Sequence, residues 1–368
     1  MSAQRYLRNL FAPAAARRAA LVVFLVTAAT LLFAQDIPHL SIDDKVTAFD
    51  IASDGRIAYA VIHLMHKREY EMQRDDIWMV SSEGKKTQIV KGDKLVSGNA
   101  PLSYSIEAIT FSPDGTRLAV LMDTVFVVDS SGTQREAELV DLMDAQGKEI
   151  NIAGTKNSTI PGALDATWLG DNETVAYLTE AVKPKLLFSL EIVRPAGGRG
   201  GAIFEGRQFS AVAWDAKHNA AIAVERDQGL SGPAKLISLD LIRESRKELA
   251  TLDGYLGELS ISPSGSKVAY FRDGDTIEIR ELSSPDKVTR VPAAYGHFYW
   301  APDERRLLLK RGPDIKSGDL VWVSIPDGNL TPILHDLPFR RFEISPDGRW
   351  LVVSDLARAG LLVYPLPQ

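Results

Sequence analysis

The chain has 368 residues, 45% of them hydrophobic, with no cysteine and a formal net charge of −6. A chain of this kind can bury a large core, and the lack of cysteine excludes disulfides, thiol catalysis, cysteine metal sites and lipidation at cysteine. Residues 35–368 carry 38 basic against 48 acidic groups, a balance that argues against a nucleic-acid partner.

The first 34 residues stand apart. Arg5, Arg8, Arg17 and Arg18 precede an apolar run from Ala19 to Ala34, and the segment holds no acidic residue. This is a signal-peptide pattern, and the run is short for a membrane span of about 20 residues. Cleavage after Ala34 and retention as an uncleaved anchor both place residues 35–368 outside the cytoplasm, periplasmic or secreted, with membrane contact only through this segment. Arg17-Arg18 lacks the rest of a twin-arginine signal, which favours general secretion.

From Ile51 to Trp350 one pattern recurs: a bulky residue, a tight turn, then a short apolar run. The clearest copies are Phe111-Ser112-Pro113-Asp114-Gly115, Ile261-Ser262-Pro263-Ser264-Gly265 and Ile344-Ser345-Pro346-Asp347-Gly348; weaker ones begin at Ile51, Trp168, Trp214 and Trp300. The step between copies is roughly 49 residues, the length of a propeller blade. Pro presets φ and Gly accepts the left-handed turn position; Asn172 can replace Gly, whereas His218 and Glu304 predict looser or longer turns. Runs such as Ile57-Ala58-Tyr59 and Leu118-Ala119-Val120 suit strands buried on both faces. Third strands are expected at Asp76–Val80, Thr124–Val128, Leu186–Leu190, Ala234–Ser238, Thr276–Arg280 and Leu320–Ser324, with outer strands such as Thr87–Val90 and Leu330–Leu334. The seventh repeat runs out of chain after Leu361-Leu362-Val363-Tyr364, so the segment Ile37–Ile42 is expected to supply its fourth strand and remove an open edge. The predicted fold is all-β: one seven-bladed propeller of four-stranded antiparallel blades over residues 35–368, closed by an N-terminal strand.

The Ser-Pro-Asp-Gly turns with their following strands, together with Arg74-Asp75-Asp76-Ile77-Trp78-Met79-Val80-Ser81-Ser82-Glu83-Gly84, resemble the TolB-type, WD-like propeller repeat. The resemblance covers almost all of residues 35–368. It implies the propeller fold, but such propellers serve as envelope adaptors, peptidase gating domains and ligand sensors alike. Here no α/β domain lies between the leader and the first repeat, and no hydrolase domain follows the last; Gly229-Leu230-Ser231-Gly232-Pro233 lacks the final glycine of a nucleophile elbow. The resemblance therefore implies a stand-alone propeller that holds another macromolecule.

In propellers of this type the loops between second and third strands share one face with those joining successive blades. The long insertions expected there are His63–Asp75, Asp141–Gly162, Arg226–Pro233 and Arg311–Asp319, which makes that face the candidate surface. In the first insertion His63, His66, Lys67, Arg68, Tyr70 and Arg74, with two methionines, suit a partner's mixed polar and apolar surface; a solvated hairpin with cross-strand ion pairs is the alternative. His63 and His66, with Glu69 as third ligand, make a poor metal site because strand residues three apart point to opposite faces. The starts of the inner strands should ring the channel mouth, with Asp165, Phe209, Tyr255, Tyr295, His297, Phe339, Arg340 and Arg341 as candidates. Among these, Tyr295, His297, Phe339, Arg340 and Arg341 bring aromatic and basic groups together, and an anionic group held there by His297, Arg340 and Arg341 is one expectation; inter-blade packing is the other. Asp273-Gly274-Asp275 reads as a hairpin turn rather than a calcium loop. No cofactor is called for, and a monomer is expected. The leading functional reading is a non-enzymatic module binding a protein or envelope component; a hydrolase or lactonase, or a small-molecule sensor, using the channel mouth are the alternatives.

Overall fold

A computed structural model describes residues 38–67, 70–92, 102–127, 133–155, 157–181, 187–226, 233–254, 256–293, 296–314 and 317–366. The leader lies outside them. Seven four-stranded antiparallel sheets follow one another, and the first six run from inner to outer strand in chain order. Their inner strands are Val46–Ile51, Ser103–Phe111, Ala163–Trp168, Phe209–Asp215, Leu256–Ile261, Phe298–Trp300 and Phe339–Ile344, for blades one to seven. The seventh sheet takes its fourth strand from the N-terminal side: Leu40–Ile42 pairs with Gly360–Pro365, Leu40 opposite Val363 and Ile42 opposite Leu361. The propeller and its closing strand are thus as expected.

The turn motif owes its residues to hydrogen bonds. In blade two the Ser112 hydroxyl donates to Asp114 Oδ1 (2.6 Å) and accepts from Arg117 N (3.0 Å), while Asp114 Oδ1 accepts from Thr116 N (3.0 Å). Gly115, at φ +70°, donates to the Ser112 carbonyl, closing the turn. Three blades lack that glycine, and their replacements act between blades. Asn172, Asn219 and Glu304 adopt left-handed φ of 56°, 54° and 56°. Their side chains accept the backbone N–H of Asp114 (3.0 Å), Gly170 (3.1 Å) and Ser264 (2.6 Å) in the preceding blade's turn. Blade four has the longer turn expected, a 3₁₀ turn over Ala216–His218 capped by Asn219. Blade six does not: Glu304 sits in an ordinary tight turn, its N–H on the Ala301 carbonyl at 2.9 Å. Its bonds to Ser264 and Lys267 offset the backbone strain.

The core is divided among the blade junctions. Second strands split by alternation: Ala58 and Ala60 pack with Ile106, Ile109 and Leu118 of blade two, while Ile57 and Tyr59 pack with Ile42, Val352 and Leu361 of blade seven. Both faces are covered, which is why these runs are apolar throughout.

Two expectations about blade two fail. Thr124–Val127 is the end of a continuous second strand, Arg117–Val127, and the third strand is Gln134–Asp144. The segment Asp141–Gly162 is accordingly no inter-blade loop on the candidate face. It ends the third strand, supplies the fourth (Thr159–Pro161) and crosses the opposite face between them, where Ala145 N donates to the Thr116 carbonyl beside the turn.

Candidate functional site

The blade-one insertion folds as a second, two-stranded sheet, Leu64–Lys67 against Tyr70–Gln73. His66 and Glu71 face each other across it at 3.2 Å, the cross-strand ion pair expected of a solvated hairpin. His63 turns instead to Asp76 (3.3 Å), so the two histidines serve different carboxylates. Arg68 lies outside the described residues, as do the side chains of Lys67 and Tyr70, whose backbones pair with each other.

The hairpin leans on blade two. Gln73 N donates to Ser103 Oγ (3.2 Å), which donates back to the Gln73 carbonyl (2.8 Å), and Arg74 Nε donates to the Leu102 carbonyl (3.3 Å). Beneath it Asp75, 0% exposed, accepts Ile106 N at 2.9 Å and Gln73 Nε2 at 2.9 Å. Burial raises the Asp75 carboxyl above its ordinary range, and those bonds oppose the rise. Arg74 and Asp75 are therefore anchors of the hairpin.

Beside the hairpin, at the mouth end of the inner strands, lies a recess of about 740 Å³. Gln73 reaches it from the hairpin, Phe49 from blade one, Ser105 and Glu107 from blade two, His297 and Tyr299 from blade six, and Arg340 and Arg341 from blade seven. The hairpin and the cationic inner-strand starts, chosen separately from sequence, thus border one cavity. Six of the seven inner strands carry a register shift near this end, for example between Ala163 and Asp165 and between Phe339 and Phe342. Each bulge re-aims the residues at the mouth.

That re-aiming separates Phe339 from its neighbours. Phe339 shares the core face with Phe342, is 0% exposed, and has Lys310 Nζ 4.4 Å from its ring centroid. It braces the wall from behind and does not reach the mouth. Arg341 and Glu343 share the inner face and are bonded to each other, with the Arg341 guanidinium 5.2 Å from the Phe49 ring centroid. His297 Nδ1 lies 2.9 Å from Glu258 Oε1, and this bond holds the imidazole pKa up. Arg340 is exposed, with no ion-pair or hydrogen-bond partner among the described residues. Tyr255 and Tyr295 lie outside the described residues. Phe209 is buried, and Asp165 accepts Trp214 Nε1 at 2.8 Å, so the blade-three and blade-four positions are taken up by packing.

Sequence reasoning missed what stands beneath Arg341. Aligned by strand pairing, Asp50, Thr110, Thr167, Ala213, Ser260, Tyr299 and Glu343 occupy one position of the repeat. Two carboxyls and a phenol therefore interrupt a ring of small residues on three successive blades. Asp50 accepts Phe111 N at 2.6 Å and Ile51 N at 2.8 Å, and burial raises its carboxyl against those bonds. Burial pushes Glu343 up to about 8, Arg341 opposing the rise and Asp50 adding to it. The raised value means that the fold favours protonated Glu343. That contribution is complete below about 4.5 and is lost as pH rises through about 8. Wild-type protein should therefore melt lower at about pH 9 than at about pH 6, and Glu343→Gln, which mimics the protonated acid, should flatten that difference by on the order of 5 °C. Parallel melting curves for the two proteins across pH would contradict the assignment.

No protein-family model matches the chain, and no curated protein matches it. Solved structures do. A chain of the mitotic checkpoint complex aligns at TM-score 0.58 and 14% identity, over 91% of this chain and 96% of that one. A chain of Kuenenia stuttgartiensis hydrazine synthase aligns at TM-score 0.54 and 14% identity, over 89% and 97%. At such identity the likeness establishes the propeller fold alone, and the TolB-type resemblance remains one of repeats and turns.

Proposed function

We propose that this protein is an exported, non-enzymatic propeller that docks a protein or envelope component through the face carrying the blade-one hairpin. The observation that carries the reading is the exposure of Leu64 (45%), Val127 (50%) and Leu356 (44%), large apolar side chains on the hairpin, the second strand of blade two and a loop of blade seven. These are three successive blades, and all three positions lie at the mouth end, Leu356 lining the recess itself. Ile242 and Leu330 are exposed on the opposite face, and the mouth face is favoured because its apolar groups accompany the recess that Leu356 helps to line. The neighbour in the mitotic checkpoint complex is part of an assembly, which accords with this use of the fold. Export rests on the arginine-rich, apolar leader.

A hydrolase using the mouth comes second. The raised pair of Asp50 and Glu343 favours it, but neither carboxyl lines the recess, whereas their neighbours Phe49 and Arg341 do. A photo-crosslinking side chain at position 64, 127 or 356 is expected to trap a partner in cells, whereas one at Ile242, exposed on the opposite face, is not. Equal trapping from both faces, or none from either, would sink the docking assignment.

A further inference from the structure

The recess carries more chemistry than an apolar docking surface requires. Its blade-six and blade-seven wall presents three donors from adjoining inner strands. Arg340 has no partner among the described residues, and the Tyr299 hydroxyl makes no hydrogen bond to another described residue. Glu258 engages His297 through Nδ1, which leaves Nε2 as the free edge of the ring. Arg341 stands beside them, fixed against Glu343 and Phe49. Convergent donors of this kind, one of them a planar guanidinium, match the two oxygens of a carboxylate.

The opposite wall limits the charge that can enter. There Glu107 of blade two borders the cavity; Asp355, on the donor side in blade seven opposite Phe339, also borders it and is balanced by Arg358 at 3.6 Å. A dianion or polyanion meets Glu107 across the cavity, whereas a single carboxylate needs only the donor wall. We propose that this wall binds one carboxylate, Arg340 and the Tyr299 hydroxyl donating to its oxygens and His297 flanking it. The group can come from a small organic acid or from a polypeptide's C-terminus, and the inference does not depend on the docking assignment.

Binding should tighten as pH falls from about 9 to about 6. His297, its pKa raised by Glu258, gains a proton as pH falls, and Glu343 takes one up as pH passes below about 8. Asp50 and Tyr299, both raised by burial, and Arg341 are the other groups facing this cluster.

Calorimetric titration of the folded protein tests the site with benzoate, a hexapeptide with a free C-terminus, the same peptide amidated, and inorganic phosphate. Benzoate, the free-acid peptide or both are expected to bind, and which of them does identifies the source. The amide should not bind. Arg340→Ala should weaken carboxylate binding about tenfold or more, and Tyr299→Phe, which removes only the hydroxyl, a few-fold. Arg340 is exposed and has no ion-pair or hydrogen-bond partner among the described residues, so its loss should leave the melting temperature in place. Equal binding of acid and amide, preference for phosphate, an Arg340→Ala variant that binds normally, or no binding of any probe would overturn the proposal. Loss of carboxylate binding with mouth-face crosslinking intact would remove this inference alone.

Discussion

Ile42→Asp is expected to destabilise the propeller by about 4 kcal/mol or more and to open its ring. Ile42 is 0% exposed and packs with Phe49, Ile57, Tyr59, Val352 and Leu361, the junction where the last blade meets the first. A carboxylate there would lose the apolar contacts, and the strand Leu40–Ile42 would release the edge of Gly360–Pro365. Gly360 offers a second approach to the same joint. A Cβ on it would lie 2.0 Å from the Ile42 carbonyl oxygen, so Gly360→Val should displace the strand without touching Ile42. Chemical denaturation measures the loss, and proteolysis near Ser41 reports the opened strand. If Ile42→Asp were as stable as Lys45→Ala, an exposed neighbour, the strand would not be closing the ring.

Asp75→Ala should cost about 3 kcal/mol and free the hairpin. The substitution deletes a buried charge, which by itself is favourable. It also leaves the Ile106 N–H buried without an acceptor and removes the bond from Gln73 Nε2. An orphaned buried donor costs about 1–3 kcal/mol, and two lost partners outweigh the relief of desolvation. Hydrogen exchange should show residues 64–67 and 70–73 losing protection while the seventh blade keeps it. Unchanged exchange in those strands would mean that the hairpin holds itself in place.

The fold was legible because its information is local. Ser112, Asp114 and Gly115 each make a bond that the turn needs, and the same residues recur at blade spacing. Blade two was misread where that punctuation was ignored: nothing between Leu118 and Val127 can turn the chain, whereas Ser130-Ser131-Gly132 can. Glu304 was misjudged because its compensation comes from Ser264 and Lys267 of another blade. The site was legible in part. His297, Arg340 and Arg341 follow from locating inner-strand starts, but Phe339 was turned inward by a bulge that leaves no mark in the alternation. Aligning the repeats would have exposed Asp50, Tyr299 and Glu343 as intruders in a ring of small residues. That Asp50 and Glu343 are neighbours, however, depends on closure of the first blade against the last, a contact between residues nearly 300 positions apart in the sequence.

The central claim is that the hairpin-bearing face holds a partner. Its most direct test is affinity capture after crosslinking in intact cells, comparing the natural protein with a variant in which Leu64–Gln73 is replaced by a two-residue turn. Arg74 and Asp75 must stay because they anchor blade one to blade two, and His63 and Asp76 because they bond to each other at the base of the hairpin. The account predicts one partner recovered repeatedly with the natural protein and lost with the shortened one, which still unfolds cooperatively although it lacks the Gln73 bonds to Ser103 and Asp75. Recovery of the same partner by both proteins, or of none by either, would contradict it.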